Sequence, residues 1–248
     1  MSAIGTENVI FKTGGSIAMS TMEHSYMITS VKLEKQGKKR YLLYAGGEEP
    51  ILSVHEDIWI KYRLMKGLEL TKEQVEEIQE ADHKYAAYSL AIAYLGAKPR
   101  TKKQMYSYLL RKEFEEHHIQ YAIDRLEEER IVDDELYAKQ FVQSRVNSAL
   151  KGRHFIMNEL RQRGVSKEAS MEAIAELDYE SELQAASTLA DKKWRSLKGE
   201  YADRRRKLQL FIMRRGFPSD IVREVMKMEQ FQRAVEEKGE DDGLLLDN

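Results

Sequence analysis

The 248-residue chain contains no cysteine. Disulfide bridges and thiolate metal centres are therefore excluded, redox chemistry would need another source, and a reducing cytosol is permitted. Proline is nearly as scarce. Pro50, Pro99 and Pro218 are the only three, so helices can run long distances without a breaker. No apolar stretch comes near the ~18 residues that a membrane-crossing helix needs, and no basic leader precedes an apolar run at the start. The expectation is a soluble cytoplasmic protein without membrane contact. Residues 1–25 lack periodicity of either kind and are expected to form a disordered leader, with Met19, Met22 or Met27 as alternative starts.

Catalytic patterns are also missing. "KTGGS" and "GGEEP" are not followed by the Lys and Ser/Thr spacing that cradles phosphates, so they read as linker and turn. His117 and His118 are adjacent, a spacing that sends two side chains of a helix in different directions, and no His-Glu-x-x-His is present. Asp133, Asp134 and Glu135 lack the alternating ligands and central glycine of a calcium loop and read as a helix cap. "VHEDI" around His55 suggests acid-base chemistry less than two acids favouring a helix N-terminus. No nucleophile has a recognisable base. The chain is expected to be a non-enzyme with no cofactor and no metal.

Hydrophobic residues make up 42% of the chain and charged residues 33%, with a net charge of only −2. Cores are affordable at this length, and any polarity must come from how the charges are arranged. From Tyr26, the runs "YMITSVKLEK", "RYLLYA" and "ILSVHE" are separated by turn residues. They predict a small antiparallel β meander over 26–81 with helices at 56–65 and 72–80, Thr71 and Gln74 forming a capping box for the second.

From Asp82 onward the apolar spacing is helical. "RKEF" at 111–114, "QRGV" at 162–165 and "RRGF" at 214–217 recur at offsets of 51 and 52 residues, which indicates an internal repeat. Other positions fall into the same register: Ile123, Ile174 and Met226; Leu109, Leu160 and Ile212; Ala87, Ala138 and Ala190. The prediction is three tandem three-helix repeats, at 82–132, 133–178 and 179–235, in a curved elongated array, making the fold mainly α, with an acidic tail at 236–248. Predicted helices cover 83–96, 101–112 and 116–129; 134–149, 152–163 and 167–177; 180–197, 201–215 and 219–232. Thr101 with Gln104, Asp133 or Asp134, Ser166 and Ser219 are the expected N-caps. Gly164 and Gly216 stand where a helix ends in a left-handed residue, and Glu113 takes that place in the first repeat.

The second helix of every repeat is basic. Capping and interhelical salt bridges account for much of this, but three stacked copies would also draw a positive stripe suited to phosphates or an acidic protein surface. Candidate members are Arg100, Lys102, Lys103, Arg111, Lys112, Lys151, Arg153, Arg161, Arg163, Arg204, Arg205, Arg206, Arg214 and Arg215. Tyr106, Tyr108, Phe155, Trp194, Tyr201 and Phe211 lie among them; as stacking platforms they could hold nucleobases, although core packing suits most of them better.

The stretch "RTKKQMYSYLLRKEFEEHHIQYAIDRLEEERIVDDELYAKQFVQSR" with "KGRHFIMNELRQRGVSKEASMEAI" resembles the central motif of the RecX family, bacterial regulators of the RecA recombinase. The resemblance extends over all three repeats, and the β-containing N-terminal part resembles that of members from Gram-positive bacteria. It implies a non-enzymatic regulator that lodges in the groove of RecA filaments and restrains ATP hydrolysis, strand exchange and filament growth, so limiting recombinational repair and the SOS response; the chain itself is expected to be a monomer. A curved repeat array would suit a long repetitive partner. Asp203 falls where Arg100 and Lys151 stand in the other repeats, which puts equivalent contacts in the third repeat in doubt. The alternative is a helical-repeat protein that binds single- or double-stranded DNA directly, without RecA, and a steep salt dependence of binding would distinguish it.

Overall fold

The computed structural model describes residues 25–34 and 39–232. The expected acidic tail, and the expected leader up to residue 24, lie outside them. The chain divides into two compact units, Met1–Asp82 and His83–Asn248.

In the first unit, strands β1 (Ser25–Met27), β2 (Ser30–Leu33), β3 (Arg40–Tyr44) and β4 (Leu52–His55) precede helix α1 (Glu56–Lys61), strand β5 (Glu69–Thr71) and the start of helix α2 (Lys72–Leu95). The expected meander is present as the antiparallel order β2-β3-β4, with Val31 opposite Leu43 and Tyr41 opposite Val54. The first predicted strand, however, is two. Ile28 is fully buried, and its backbone bonds to Leu68 and Gly67, which draws β1 out of the meander to pair with β5. The Thr71–Gln74 capping box forms.

Helix α2 runs unbroken where two helices were expected. No proline or glycine lies between 72 and 95, and Asp82 within the helix turns its buried carboxylate to the sheet. It accepts from the His55 amide at 2.7 Å and pairs with Arg40 at 2.6 Å. Ile28, Leu43, Val54, Leu64 and Ile78 supply the buried side chains of this unit.

The second unit continues with α3 (Lys102–Leu110) and α4 (Glu116–Glu128), then α5 (Asp134–Asn147), α6 (Arg153–Gln162) and α7 (Lys167–Ala175), then α8 (Tyr179–Ser196), α9 (Tyr201–Arg214) and α10 (Ser219–Lys227), closing with a 3-10 turn at Glu229–Phe231. Thr101 and Gln104 form a reciprocal capping box, and Asp133 and Ser166 cap α5 and α7. At α10 the cap position belongs to Pro218, one residue before the expected Ser219. Proline fits there because its carbonyl can accept the first helical bond while its missing N–H is not needed. Glu113, Gly164 and Gly216 all adopt left-handed φ, of 64°, 86° and 88°.

Helices α3, α6 and α9 meet end to end. Thr101 Oγ1 at the start of α3 donates to the Arg163 carbonyl at the end of α6, at 2.6 Å. One repeat later the Gly152 amide donates to the Arg215 carbonyl and the His154 amide to the Gly216 carbonyl, both at 3.0 Å. The N–H groups left open at one helix start thus satisfy carbonyls left open at the next helix end. Close approach demands small residues: a β-carbon at Gly152 would overlap the backbone of Gly216 and Phe217, and one at Gly164 would overlap the Lys103 side chain.

Candidate partner interface

The fourteen cations of the predicted stripe divide according to what their side chains touch. One group is absorbed by the joints between repeats. Arg153 offers its backbone N–H, Nε and Nη2 to Glu182 of α8, at 2.9, 2.7 and 2.5 Å, and Glu182 has no solvent exposure. The bond to that carboxylate holds Arg153 above its ordinary pKa. The same device recurs one repeat earlier, where the Lys102 amide donates to Asp134 of α5 at 3.0 Å. The Lys102 ammonium bonds Glu127 at 2.8 Å, which raises its pKa, whereas burial raises that of Asp134 against the opposing pull of the Lys102 amide. Arg215 reaches the Ala149 carbonyl at 3.2 Å, and Lys103 reaches the Gln162 carbonyl at 3.4 Å.

A second group lies over aromatic rings. Arg100 covers Tyr94 at 4.2 Å, Lys151 covers Phe155 at 3.5 Å, Arg163 covers Phe141 at 4.4 Å and Arg204 covers Trp194 at 4.1 Å. Cation–π attraction compensates for lost hydration there, and the Nε atoms of Arg100, Arg204 and Arg215 are buried with no hydrogen-bond acceptor. Burial lowers the pKa of Lys151, as do Arg215 and Arg145 nearby. Arg163 also donates to the Glu159 carbonyl, and Arg205 to that of Met226.

The rings proposed as stacking platforms are largely engaged by the protein itself. Trp194 is taken by Arg204 and Tyr201, Phe155 by Lys151, Phe211 by Lys193 and Arg215, and Tyr108 by Tyr94 stacked at 3.9 Å and by Lys112 at 6.0 Å. Tyr106 donates its hydroxyl to Glu116.

What remains outward is smaller. Arg111, Lys112, Arg161, Arg206 and Arg214 are exposed, and among the described residues none of them has a carboxylate partner. Arg111 and Arg214 are equivalent positions in the turns that end α3 and α9, and Arg161 stands one residue before the corresponding place in α6. Two features of this surface are not among the predicted stripe residues. Lys207 is exposed on α9 beside Arg206, and Leu110, Leu210 and Met213 interleave with the cations at 52%, 45% and 47% exposure. The spacing of 206, 207, 210, 213 and 214 is that of one helix face, a signal obscured by reading the segment for charge alone.

Asp203 also finds its explanation. Helix α9 has 14 residues against nine in α3 and ten in α6, and the extra length places Asp203 in its first turn, where an acid is favoured. Its counterparts Arg100 and Lys151 lie in the loops before their helices. His117 and His118, expected to diverge, have ring centroids 3.9 Å apart, because they sit in the first turn of α4 and His118 turns inward against His83.

The surface is therefore a discontinuous set of exposed cations and apolar side chains at helix ends. No helix among the described residues is long and apolar enough to cross a membrane.

Comparison with known proteins agrees with this architecture. Family descriptions for the first, second and third three-helix domains of RecX match residues 87–126, 133–174 and 180–226. The regulatory protein RecX of Oceanobacillus iheyensis is 34% identical over 205 residues, spanning 81% of this chain and 75% of that relative. That of Enterococcus faecalis is 29% identical over 222 residues, spanning 86% and 83%. A crystal structure of a regulatory protein RecX superposes with a TM-score of 0.70 at 28% identity, covering 82% of this chain and all of the other. With three tandem repeats matched in order and relatives aligned over most of its length, the chain belongs to the RecX family.

Proposed function

We infer that this protein regulates the RecA recombinase by binding along RecA filaments, in their helical groove, and that it chiefly inhibits ATP hydrolysis, strand exchange and filament growth. The family to which it belongs is named for regulatory proteins, and no group of side chains in the site is arranged for covalent or acid-base chemistry. The observation that carries the reading is the recurrence of an unpartnered cation at the end of each second helix, at Arg111, Arg161 and Arg214. A partner that repeats along its length rewards a binder that repeats, because each further contact forms at high effective concentration. The occupied aromatic faces speak against nucleobase stacking and for an acidic protein surface.

The test is a titration of RecA ATPase on single-stranded DNA with the wild type and with Arg111→Glu, Arg161→Glu and Arg214→Glu combined. These side chains hold nothing inside the fold, so the variant should keep its melting temperature and lose inhibition at least tenfold in potency. Unchanged inhibition would remove the three residues from the interface. Binding to naked DNA that matches filament binding and falls steeply with salt would instead support direct DNA recognition.

A further inference from the structure

The outward face of α9 is the strongest unpartnered feature among the described residues. Arg206, Lys207 and Arg214 project with Leu210 and Met213 between them, while Arg204 and Arg205 on the same helix are committed to Trp194 and Met226. A ligand for this face must bring several negative charges and at least one apolar group.

The chain carries such a segment just beyond its last described residue. Residues 233–248 hold six acidic side chains against two basic ones, and "EDDGLLLDN" places Leu244, Leu245 and Leu246 between Asp242 and Asp247. The point of departure is favourable as well. Tyr201, the first residue of α9, donates its hydroxyl to the Phe231 carbonyl at 2.8 Å, so the last described residues lie at the start of the helix that carries the face. Leu244 lies twelve positions beyond Gln232, a span of up to about 40 Å when extended, whereas α9 is about 20 Å long.

We propose that residues 236–248 dock in cis on the Arg206, Lys207, Leu210, Met213 and Arg214 face of α9, and that the tail is an intramolecular competitor for a partner that uses the same face. Tethering places it at millimolar effective concentration. A segment of weak intrinsic affinity then covers the face for much of the time and lowers the apparent affinity of any competitor in proportion. The docking stands on charge, apolar matching and reach; only its regulatory consequence rests on the RecA reading.

Because the chain lacks cysteine, Asn248→Cys creates a single thiol for a nitroxide label on the otherwise intact protein. The label should broaden the amide resonances of residues 206–214. Broadening should fade in 1 M salt, where the Debye length falls to about 3 Å, and on replacing Leu244, Leu245 and Leu246 with serine, changes that leave the described fold untouched. Arg206→Glu with Lys207→Glu should abolish it too. Broadening that avoids α9, or that disappears on dilution because a second copy supplies the tail, overturns the proposal. In a second arm, the triple-serine variant should bind RecA filaments about two- to tenfold more tightly. Filament binding that the variant leaves unchanged overturns the competition, while clear broadening in a protein with no filament binding at all leaves the docking in place and removes the RecA reading instead.

Discussion

A carboxylate with no solvent contact joins the second repeat to the third. Glu182 takes three donors from Arg153, and the Arg153 side chain keeps about a third of its exposure, at 33%. Glutamine at 182 would preserve the shape but remove the charge, leaving a half-buried guanidinium with a neutral acceptor and one amide hydrogen facing other donors. Breaking a buried pair costs about 3–5 kcal/mol, and the residual solvent access of Arg153 brings the expectation for Glu182→Gln down to about 2–3 kcal/mol. Thermal denaturation should show a fall of several degrees; an unchanged midpoint would mean that the pair contributes only orientation. Arg153 illustrates how far single residues were legible. A count of basic residues finds it beside Arg161, eight positions away on the same helix, yet one is bound inside a joint and the other is free. The difference lies in Glu182, which is 29 residues distant in sequence, and no local pattern announces that contact.

Elements in this fold are joined by helix ends, and the sequence shows the ends better than the joints. The left-handed turns at Gly164 and Gly216 follow from glycine after a basic helix, and the cap at Thr101 follows from Gln104 three residues on. That Thr101 also reaches Arg163, 62 residues away, does not. Strand β5 is hidden in the sequence because three residues are too few to show alternation, and the continuity of α2 because charged residues around 80–84 interrupt the apolar spacing. Two substitutions separate the forces at the joints. Gly152 has an ordinary φ of −83°, so Gly152→Ala introduces no backbone strain and tests close approach alone; overlap with the Gly216 backbone should cost about 1–3 kcal/mol. Glu113, by contrast, is a non-glycine residue at φ 64°. Glycine there relieves about 1–2 kcal/mol of left-handed strain and loses about 0.5–1 kcal/mol through the more flexible unfolded chain. Glu113→Gly should therefore raise the melting temperature by a degree or more, measured beside Gly152→Ala under the same scan.

At the scale of the whole second unit, three similar repeats do not give three similar cores. Ala87, Met105, Leu109, Ile119, Leu126 and their neighbours form one buried cluster confined to the first repeat. A single larger cluster runs from Ala138 to Phe231 and includes Val142, Leu160, Ala186, Leu208 and Val225, so the second and third repeats share their interior. The joint between the first and second repeats is held by polar contacts, Thr101 with Arg163 and Lys102 with Asp134, which water can replace at modest cost. In a repeat protein, stability is approximately the sum of each unit and its interfaces with neighbours, and here the interfaces are unequal. Native-state hydrogen exchange should accordingly resolve two cooperative units: amides of α3 and α4 should exchange through an opening that leaves α5, α6, α8 and α9 protected. Raising denaturant should bring the first group to its unfolding limit well before the second. One common opening energy across α3 to α10 would show that the polar joint couples the repeats as strongly as the shared core does. Separate openings would leave Arg111 on a part of the molecule able to yield independently of the part that carries Arg161 and Arg214, so that a long partner could be engaged in two steps.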